Sequence, residues 1–186
     1  MTPSLSSTRL ILTPYTPKVV TDEHVRWLLD AELMQYSEQR YVKHDLTSQI
    51  AYVGHHFPNR HLWLIRCACR DIGTVSAYID TTNNRANLGI LIGSREHQGQ
   101  GFAAEAWCAV IDWLFSIDIH KVECGCRSDN HRMRRLATTT GFTLEGEVPG
   151  HFKVGDEYRG LILYGRFKSD TYHSEWDEMF LKPGTA

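Results

Sequence analysis

The sequence NLGILIGSREHQGQGFAAEAWCAVIDWLF, residues Asn87–Phe115, places a strand, a glycine-rich turn and a helix in direct succession. The apolar run Leu88–Ile92 has the length and composition of a buried strand. A short polar stretch, Ser94–Gln98, leads from it to Gly99 and Gly101. Because glycine lets the backbone approach a ligand closely, this turn is the first candidate for a binding site.

The segment after the turn has the pattern of a helix that is buried over most of its surface. Its acids, Glu105 and Asp112, lie seven residues apart and are expected to share the solvent-facing side. The apolar positions are Phe102, Ala103, Ala106, Trp107, Val110, Ile111, Leu114 and Phe115. N–H groups at a helix start lack intrahelical partners, and the helix dipole adds partial positive charge there. The turn is therefore predicted to bind an anion, most plainly a phosphate.

One explanation of this turn is a dinucleotide site. Gly99, Gly101 and Ala104 match the fingerprint GxGxxG/A, which suggests a nicotinamide or flavin enzyme. The position of the turn, at residue 99 of 186, leaves little room for the second half of such a domain. Nor does an acid end the next strand, because Glu123 lies in its middle. The fingerprint is too short to establish a dinucleotide site by itself, so the sequence after the turn is needed to test it.

The downstream sequence has a recognisable order of motifs. Lys121–Arg127 alternates as a strand, with Val122, Cys124 and Cys126 on one face. Asn130 is positioned to cap a helix, and the pattern N-x5-LA-x3-GF-x2-EG runs from it to Gly146. Together with the turn, this order closely resembles the RimJ/RimL-type branch of the GNAT superfamily, the acetyl-CoA-dependent N-acetyltransferases. Glu96 departs from the Gln or Arg that usually opens the turn motif of that superfamily.

The resemblance implies the GNAT fold, an α/β (α+β) domain. We expect a mixed central sheet of about seven strands, flanked by about four helices and splayed between strands 4 and 5, in a single domain over residues 1–186. The sequence itself predicts a helix after Thr21 with Val25, Leu28 and Leu29 inward, and a helical tail over Ser174–Phe180.

The resemblance also implies acetyl-CoA as cofactor and identifies residues that would hold it. The pantetheine arm would lie along Leu91, Ile92 and Gly93. The pyrophosphate would be surrounded by backbone N–H groups of Gln98, Gly99, Gln100, Gly101, Phe102 and Ala103. Asn130 would bond near the cofactor arm, and Arg134, in the basic run after it, would contact the 3′-phosphate.

Catalytic residues are harder to assign, because acids and hydroxyls that relatives use are replaced here by Asn87, Met133 and Ala137. Acetyl transfer needs a deprotonated amine and a polarised thioester carbonyl. The expected catalytic set is His151 as base, Ile92 through its backbone N–H, and Asn130. His151 lies in the segment EGEVPGHF, which is expected to be a loop bordering the acceptor.

The acceptor is expected to be a primary amine of a small polar molecule such as an amino sugar. The polar and aromatic residues Tyr36, Glu38, Arg40 and His151 are the candidates that would bind it. The RimJ/RimL resemblance keeps a peptide or protein N-terminus as the alternative acceptor. Because three usual catalytic positions differ, a non-catalytic acyl-CoA-binding module is a further alternative.

Composition excludes several other classes. A net charge of −2 gives no reason to expect nucleic acid or an anionic membrane as a partner, and no apolar run approaches the roughly 20 residues of a membrane span. The five cysteines fall in predicted strands and a helix, as reduced core residues of a cytoplasmic protein do, and no metal site is expected. The chain is predicted to be a monomer or homodimer.

Overall fold

A single mixed sheet carries most of the chain. The computed structural model describes residues 1–55 and 57–169. The strands of this part are β1 (Leu5–Ser6), β2 (Leu10–Pro14), β3 (Arg60–Cys67), β4 (Arg70–Asp80), β5 (Arg85–Ile92), β6 (Lys121–Arg127), β7 (Thr143–Val154) and β8 (Glu157–Phe167). The helices are α1 (Asp22–Leu29), α2 (Leu46–Gly54), α3 (Phe102–Ser116) and α4 (His131–Thr139), with short 3-10 turns at Pro17–Val19, Glu38–Tyr41 and Arg95–His97.

The sheet has the order β1-β2-β3-β4-β5-β6-β8-β7. Eight strands are present in the described residues where about seven were predicted, because the two-residue β1 pairs with β2. From β2 onward the elements follow the order β-α-α-β-β-β-α-β-α-β-β along the chain. The predicted tail helix over Ser174–Phe180 lies outside the described residues.

The strands β5 and β6 form the only parallel pair in the described sheet, and they separate soon after they meet. Their pairing covers only Arg85 with Lys121, Ala86 with Val122 and Asn87 with Glu123. Beyond Asn87, β5 stays paired with β4 on its other side, while β6 stays paired with β8 as far as Arg127. The result is a V-shaped gap, which we call the fork. It confirms the predicted splay between strands 4 and 5, which are β5 and β6 once β1 is counted.

The helices cover opposite faces of the sheet. Trp63 and Ile65 of β3 pack in the cluster that contains the buried side of α3, whereas Leu64 packs with Trp27 of α1. Because successive side chains of a strand alternate between faces, α3 lies on one face and α1 on the other. No helix in the described part of the chain is long and apolar enough to cross a membrane.

The predicted inner face of α1 is partly wrong. Val25 is buried as expected, but Leu29 is 60% exposed, and His24 and Trp27 are buried instead. The helix is turned this way because His24 lies between two polar partners, the hydroxyl of Tyr15 at 3.1 Å and the carboxylate of Asp71 at 3.2 Å. Tertiary hydrogen bonds therefore outweighed the simple apolar pattern.

The segment around His151 is not a loop. It belongs to β7, which pairs with β8 along its length and has irregular register between Leu144 and Gly146 and between Val148 and Phe152. Gly150 has a φ of 62°, a left-handed conformation that accommodates the second irregularity inside the strand. His151 therefore projects from a bulged edge strand, exposed to solvent.

Candidate functional site

The glycine turn presents its backbone to open space. Gly99 and Gly101 have φ values of 76° and 82°, which glycine adopts without strain. A Cβ atom built on Gly99 would have no atom within 4 Å. The first α-helical hydrogen bond of α3 runs from the Glu105 N–H to the Gly101 carbonyl, at 3.1 Å. The N–H of Gln98, predicted to face the pyrophosphate, instead donates to the carbonyl of Arg95 at 3.2 Å. The N–H groups of residues 99–104 make no backbone hydrogen bond within the described part of the chain, so they are available to an anion at the start of a 15-residue helix.

Two side chains connect this turn to the strand before it and to α4 after the fork. The amide Nε2 of Gln98 donates to the carbonyl of Ile92, at 3.0 Å. Arg132 Nη1, from the first turn of α4, donates to Oε1 of the same Gln98, at 3.2 Å. A guanidinium is thus held beside the predicted anion site.

Arg134, the basic residue expected to contact the 3′-phosphate, is directed elsewhere. Its Nη1 donates to the carbonyl of Ser128 at 3.1 Å, and a hydrogen bond with Tyr164 raises the pKa of its guanidinium. Arg134 therefore braces the turn between β6 and α4, and Arg132 is the arginine of α4 that reaches the glycine turn. The sequence contained both arginines, but only the helix orientation distinguishes them.

The free edge of β5 leads from the fork to the turn. Leu91 packs with the cluster on the α1 face, so its side chain points to that side of the sheet. Gly93 is buried, and a Cβ atom there would lie 2.0 Å from the indole ring of Trp27. Glycine is therefore required for α1 to pack against the end of this strand.

Asn130 caps α4 as predicted. Its Oδ1 accepts the N–H of Met133 at 3.1 Å, and its own N–H donates to the carbonyl of Arg127 at 2.9 Å. Its Nδ2 makes no hydrogen bond to any residue of the described ranges, which leaves a donor at the end of β6.

Tyr36 faces a buried arginine that the sequence analysis did not single out. Arg127, at the end of β6, is only 6% exposed, and its Cζ lies 4.6 Å from the centre of the Tyr36 ring. It donates to the Gln35 carbonyl at 2.9 Å and to the carboxylate of Asp129 at 2.6 Å. Arg127 therefore links the segment after α1 to β6, the arm of the fork that ends before α4. The strict alternation of β6 was the available signal, because it placed Arg127 on the polar face.

The other expected acceptor residues are more dispersed. Glu38 is exposed and forms an ion pair with Arg40 at 3.4 Å, and Arg40 also donates to the carbonyl of Ser37 at 3.1 Å. The ring of His151 contacts that of Phe152, with centroids 4.7 Å apart. No hydrogen bond, ion pair or ring contact among the described residues joins His151 to Tyr36, Glu38 or Arg40.

An acid missed by the sequence analysis lies where the fork opens. Glu123 of β6 pairs in register with Asn87 of β5, in the last pair before the strands separate. Val122 and Cys124 are buried on the α3 side, so Glu123 faces the α1 side. Arg85 donates to its carboxylate at 3.0 Å, and Lys121 lies 3.7 Å away. The sequence shows both Asn87 and Glu123, but their juxtaposition depends on the strand register.

The prediction that Glu105 faces solvent is wrong. Its carboxylate accepts hydrogen bonds from the Ser7 hydroxyl at 2.7 Å, from the Arg9 backbone N–H at 2.6 Å and from Arg9 Nε at 2.7 Å. Burial acts to raise the pKa of Glu105, but these bonds outweigh it and lower the pKa below its usual value. The short strand β1 and the residues after it cover this side of α3, and helical periodicity cannot reveal a contact so distant in sequence.

Comparison with known proteins identifies the family. Residues 9–143 match the acetyltransferase (GNAT) domain family. The spermidine N(1)-acetyltransferase of Escherichia coli strain K12 is 26% identical over 132 residues, which cover 69% of this chain and 70% of that protein. An uncharacterized N-acetyltransferase, p20 of Bacillus licheniformis, is 33% identical over 114 residues, 60% of this chain and 64% of that one.

Solved structures share the fold. RimL, a ribosomal L7/L12 alpha-N-protein acetyltransferase in complex with coenzyme A, superposes with a TM-score of 0.79 at 23% identity, over 89% of this chain and 98% of that chain. The microcin C7 self-immunity acetyltransferase MccE, in complex with acetyl-CoA and AMP, gives 0.75 at 18% identity, over 87% and 93%.

The family match includes the glycine turn, so the dinucleotide alternative is wrong. The fork, the turn and the match over residues 9–143 lead to one conclusion. The chain belongs to the GNAT family and is an acetyl-CoA-dependent N-acetyltransferase.

Proposed function

We propose that this enzyme transfers the acetyl group of acetyl-CoA directly to a primary amine of a small polar molecule. The observation that carries the proposal is the fork, whose one arm, β5, leads to the glycine turn and whose other arm, β6, carries Glu123 and Arg127. A cofactor held along the first arm and an amine held by the second would meet where the strands separate.

The residues present fit acetyl-CoA. Gly99 and Gly101 expose N–H groups at the start of α3, and Arg132 stands beside them. Leu91 and Ile92 form the end of the β5 edge that faces the fork, and Gly93 follows them. Asn130, between β6 and α4, offers its Nδ2. When bound, acetyl-CoA would supply an activated thioester whose acetyl group forms an amide with the amine, while the carbon–sulfur bond breaks and coenzyme A leaves as the thiol. The backbone N–H near Ile92 is the proposed donor that polarises the acyl carbonyl.

Direct transfer is favoured over an acyl-cysteine route. Cys124 and Cys126 lie near the fork on β6, but both are buried in the core on the α3 side. Burial raises the pKa of both thiols, that of Cys124 to about 12. Thiols whose pKa is raised by burial remain protonated at neutral pH and are poor nucleophiles.

Glu123 is our first candidate for the base that accepts the proton of the amine. It is the carboxylate at the opening of the fork, on the face where Tyr36 and Arg127 also lie. His151 is the second candidate, although its exposed position on the edge strand β7 separates it from those side chains. Tyr36, Glu38 and Arg40 are proposed to line the approach of the acceptor.

A protein or peptide N-terminus is the second candidate acceptor. The specific observation is the β7–β8 hairpin, where Leu144, Val148 and Leu163 are 59%, 40% and 37% exposed. β7 is the edge of the sheet, and an extended peptide can add to such an edge. The structural likeness to RimL is consistent with this candidate but shows the fold alone.

A thiol-release assay with acetyl-CoA tests both candidates. The panel contains amino sugars, nucleotide-linked amino sugars, spermidine and peptides with free N-termini, each paired with a control in which every primary amine is already acetylated. We expect the highest kcat/KM for one of the small polar amines. Peptides that react at least tenfold faster than every small amine would replace the first candidate by the second.

A further inference from the structure

Arg9 connects the segment before β2 with the glycine turn and with the start of α3. It precedes β2, and its Nε donates to Oε2 of Glu105 in the first turn of α3, at 2.7 Å. Its Nη1 donates to the backbone carbonyl of Gln100 at 3.2 Å. Its Cζ lies 4.2 Å from the centre of the Phe102 ring, so the guanidinium packs on the first residue of α3.

The bond to Gln100 determines the direction of one N–H group. The carbonyl of Gln100 and the N–H of Gly101 belong to the same planar trans peptide, in which the two groups point in opposite directions. Because Arg9 holds the carbonyl, the Gly101 N–H points away from Arg9. Gly101 can adopt this orientation because its φ of 82° is unstrained only for glycine.

The bond to Glu105 removes an electrostatic obstacle. Glu105 is the acidic residue in the first turn of α3, where a free carboxylate would repel a bound anion. Its oxygens are instead occupied by Arg9 and by the hydroxyl of Ser7. The same arginine therefore pairs with the nearest negative charge and orients the turn.

We propose that Arg9 is a positioning residue for the glycine turn, the proposed diphosphate site. Arg9 fixes the Gln100–Gly101 peptide so that the Gly101 N–H points away from the Arg9 side chain. The inference rests on the proposed position of the cofactor diphosphate at this turn. Arg9 lies about 90 residues away in sequence, which is why no local motif of the turn contains it.

The first test measures the affinity of coenzyme A by titration calorimetry for Arg9→Met and Arg9→Lys. The control is Arg66→Met, because Arg66 and Asp71 form an ion pair of the same length as Arg9 and Glu105, 2.7 Å. The side chains of the two pairs are also similarly exposed: 45% and 17% for Arg66 and Asp71, and 44% and 16% for Arg9 and Glu105. We expect both Arg9 variants to bind coenzyme A at least tenfold more weakly and Arg66→Met to bind within twofold of wild type. Arg9 variants that bind normally would overturn the proposal.

A double variant separates orientation from charge. If Arg9 acted only by neutralising Glu105, Arg9→Met combined with Glu105→Gln would restore the affinity, and that restoration would overturn the positioning role. We expect the double variant to remain weak. In the free protein labelled with 15N-glycine, we also expect the Gly101 amide resonance to move in Arg9→Met, while that of Gly155, in the distant β7–β8 turn, stays in place.

Gly101→Trp distinguishes failure of this inference from failure of the proposed site. Lost coenzyme A binding in a folded Gly101→Trp variant, together with normal binding in Arg9→Met, would refute the role of Arg9 alone. Retained binding in Gly101→Trp would refute both. Thermal unfolding of each variant, followed by circular dichroism, verifies that it is folded.

Discussion

Arg132 and Arg134 are two residues apart on α4 but have different neighbours. Arg132 donates to Gln98 beside the glycine turn, whereas Arg134 donates to the carbonyl of Ser128. We therefore expect Arg132→Ala to weaken coenzyme A binding about tenfold, or ~1.4 kcal/mol, because a charge-assisted contact to phosphate is lost. Arg135→Ala is the control, since Arg135 is exposed on the same helix. Equal losses in calorimetric titrations of both variants would contradict this assignment.

Glu123 is the single residue whose substitution is expected to slow catalysis. If its carboxylate accepts the proton of the amine, Glu123→Gln should lower kcat by roughly 100-fold, the lower range for general base catalysis, while coenzyme A still binds. Glu145→Gln is the control, because Glu145 also pairs with Lys121, at 2.8 Å, but lies on β7. The measurement is kcat at saturating acetyl-CoA and amine, with coenzyme A affinity measured alongside. A similar decrease in kcat in both variants would indicate that the ion pairs of Glu123 and Glu145 with Lys121 matter only for structure.

The element that departs most from its sequence pattern is α1, and this departure has a consequence for stability. His24 is 2% exposed, with its Nε2 near Asp71 and its Nδ1 near Tyr15. Burial lowers the pKa of His24, although its hydrogen bond with Asp71 partly opposes the shift. The folded pKa therefore lies below the unfolded value of about 6.5, so His24 contributes stability above that pH that is lost as the pH falls toward the folded pKa.

We expect the unfolding free energy to decrease between pH 7.5 and pH 5.5, with His24 contributing at most about 1.4 kcal/mol per pH unit. Urea denaturation of the wild type and of His24→Gln at both pH values measures this dependence. The variant should be less stable at pH 7.5 and should lose less stability on acidification. An identical pH dependence in both proteins would show that other groups are responsible.

The fork is a property of the whole molecule, because it needs β4 to hold one arm and β8 to hold the other. The edge of β5 from Leu88 to Ile92 has no partner on the side of β6 in the described sheet. We expect coenzyme A to slow amide hydrogen exchange in this edge and at Gly99–Phe102, where N–H groups would gain partners. Exchange measured by mass spectrometry should leave the β7–β8 turn unchanged as an internal control. Protection confined to other segments would contradict the proposed cofactor position.

Much of the architecture followed from local patterns. The caps at Thr21 and Asn130, the glycine turn and the alternation in β6 depend on neighbouring residues, and each was confirmed. Two of the predictions that were wrong involve partners distant in sequence. Glu105 is covered by residues about 100 positions earlier, and His24 is turned inward by Asp71, 47 residues later. Periodicity predicts which side of a helix is apolar, but it does not predict which polar groups from distant parts of the chain will contact the helix.

The sequence by itself determined the family and the strand–glycine turn–helix unit that is proposed to hold the cofactor, because strand period, helix caps and glycine turns are set by residues close together in the chain. Only the tertiary structure decided which arginine of α4 reaches that turn, that Glu123 stands opposite Asn87 at the fork, and that Arg9 holds the Gln100–Gly101 peptide. Each of these depends on strand register or helix rotation. A shift of one residue in strand register turns a side chain to the opposite face of the sheet, and a shift of one residue along a helix turns it by about 100°.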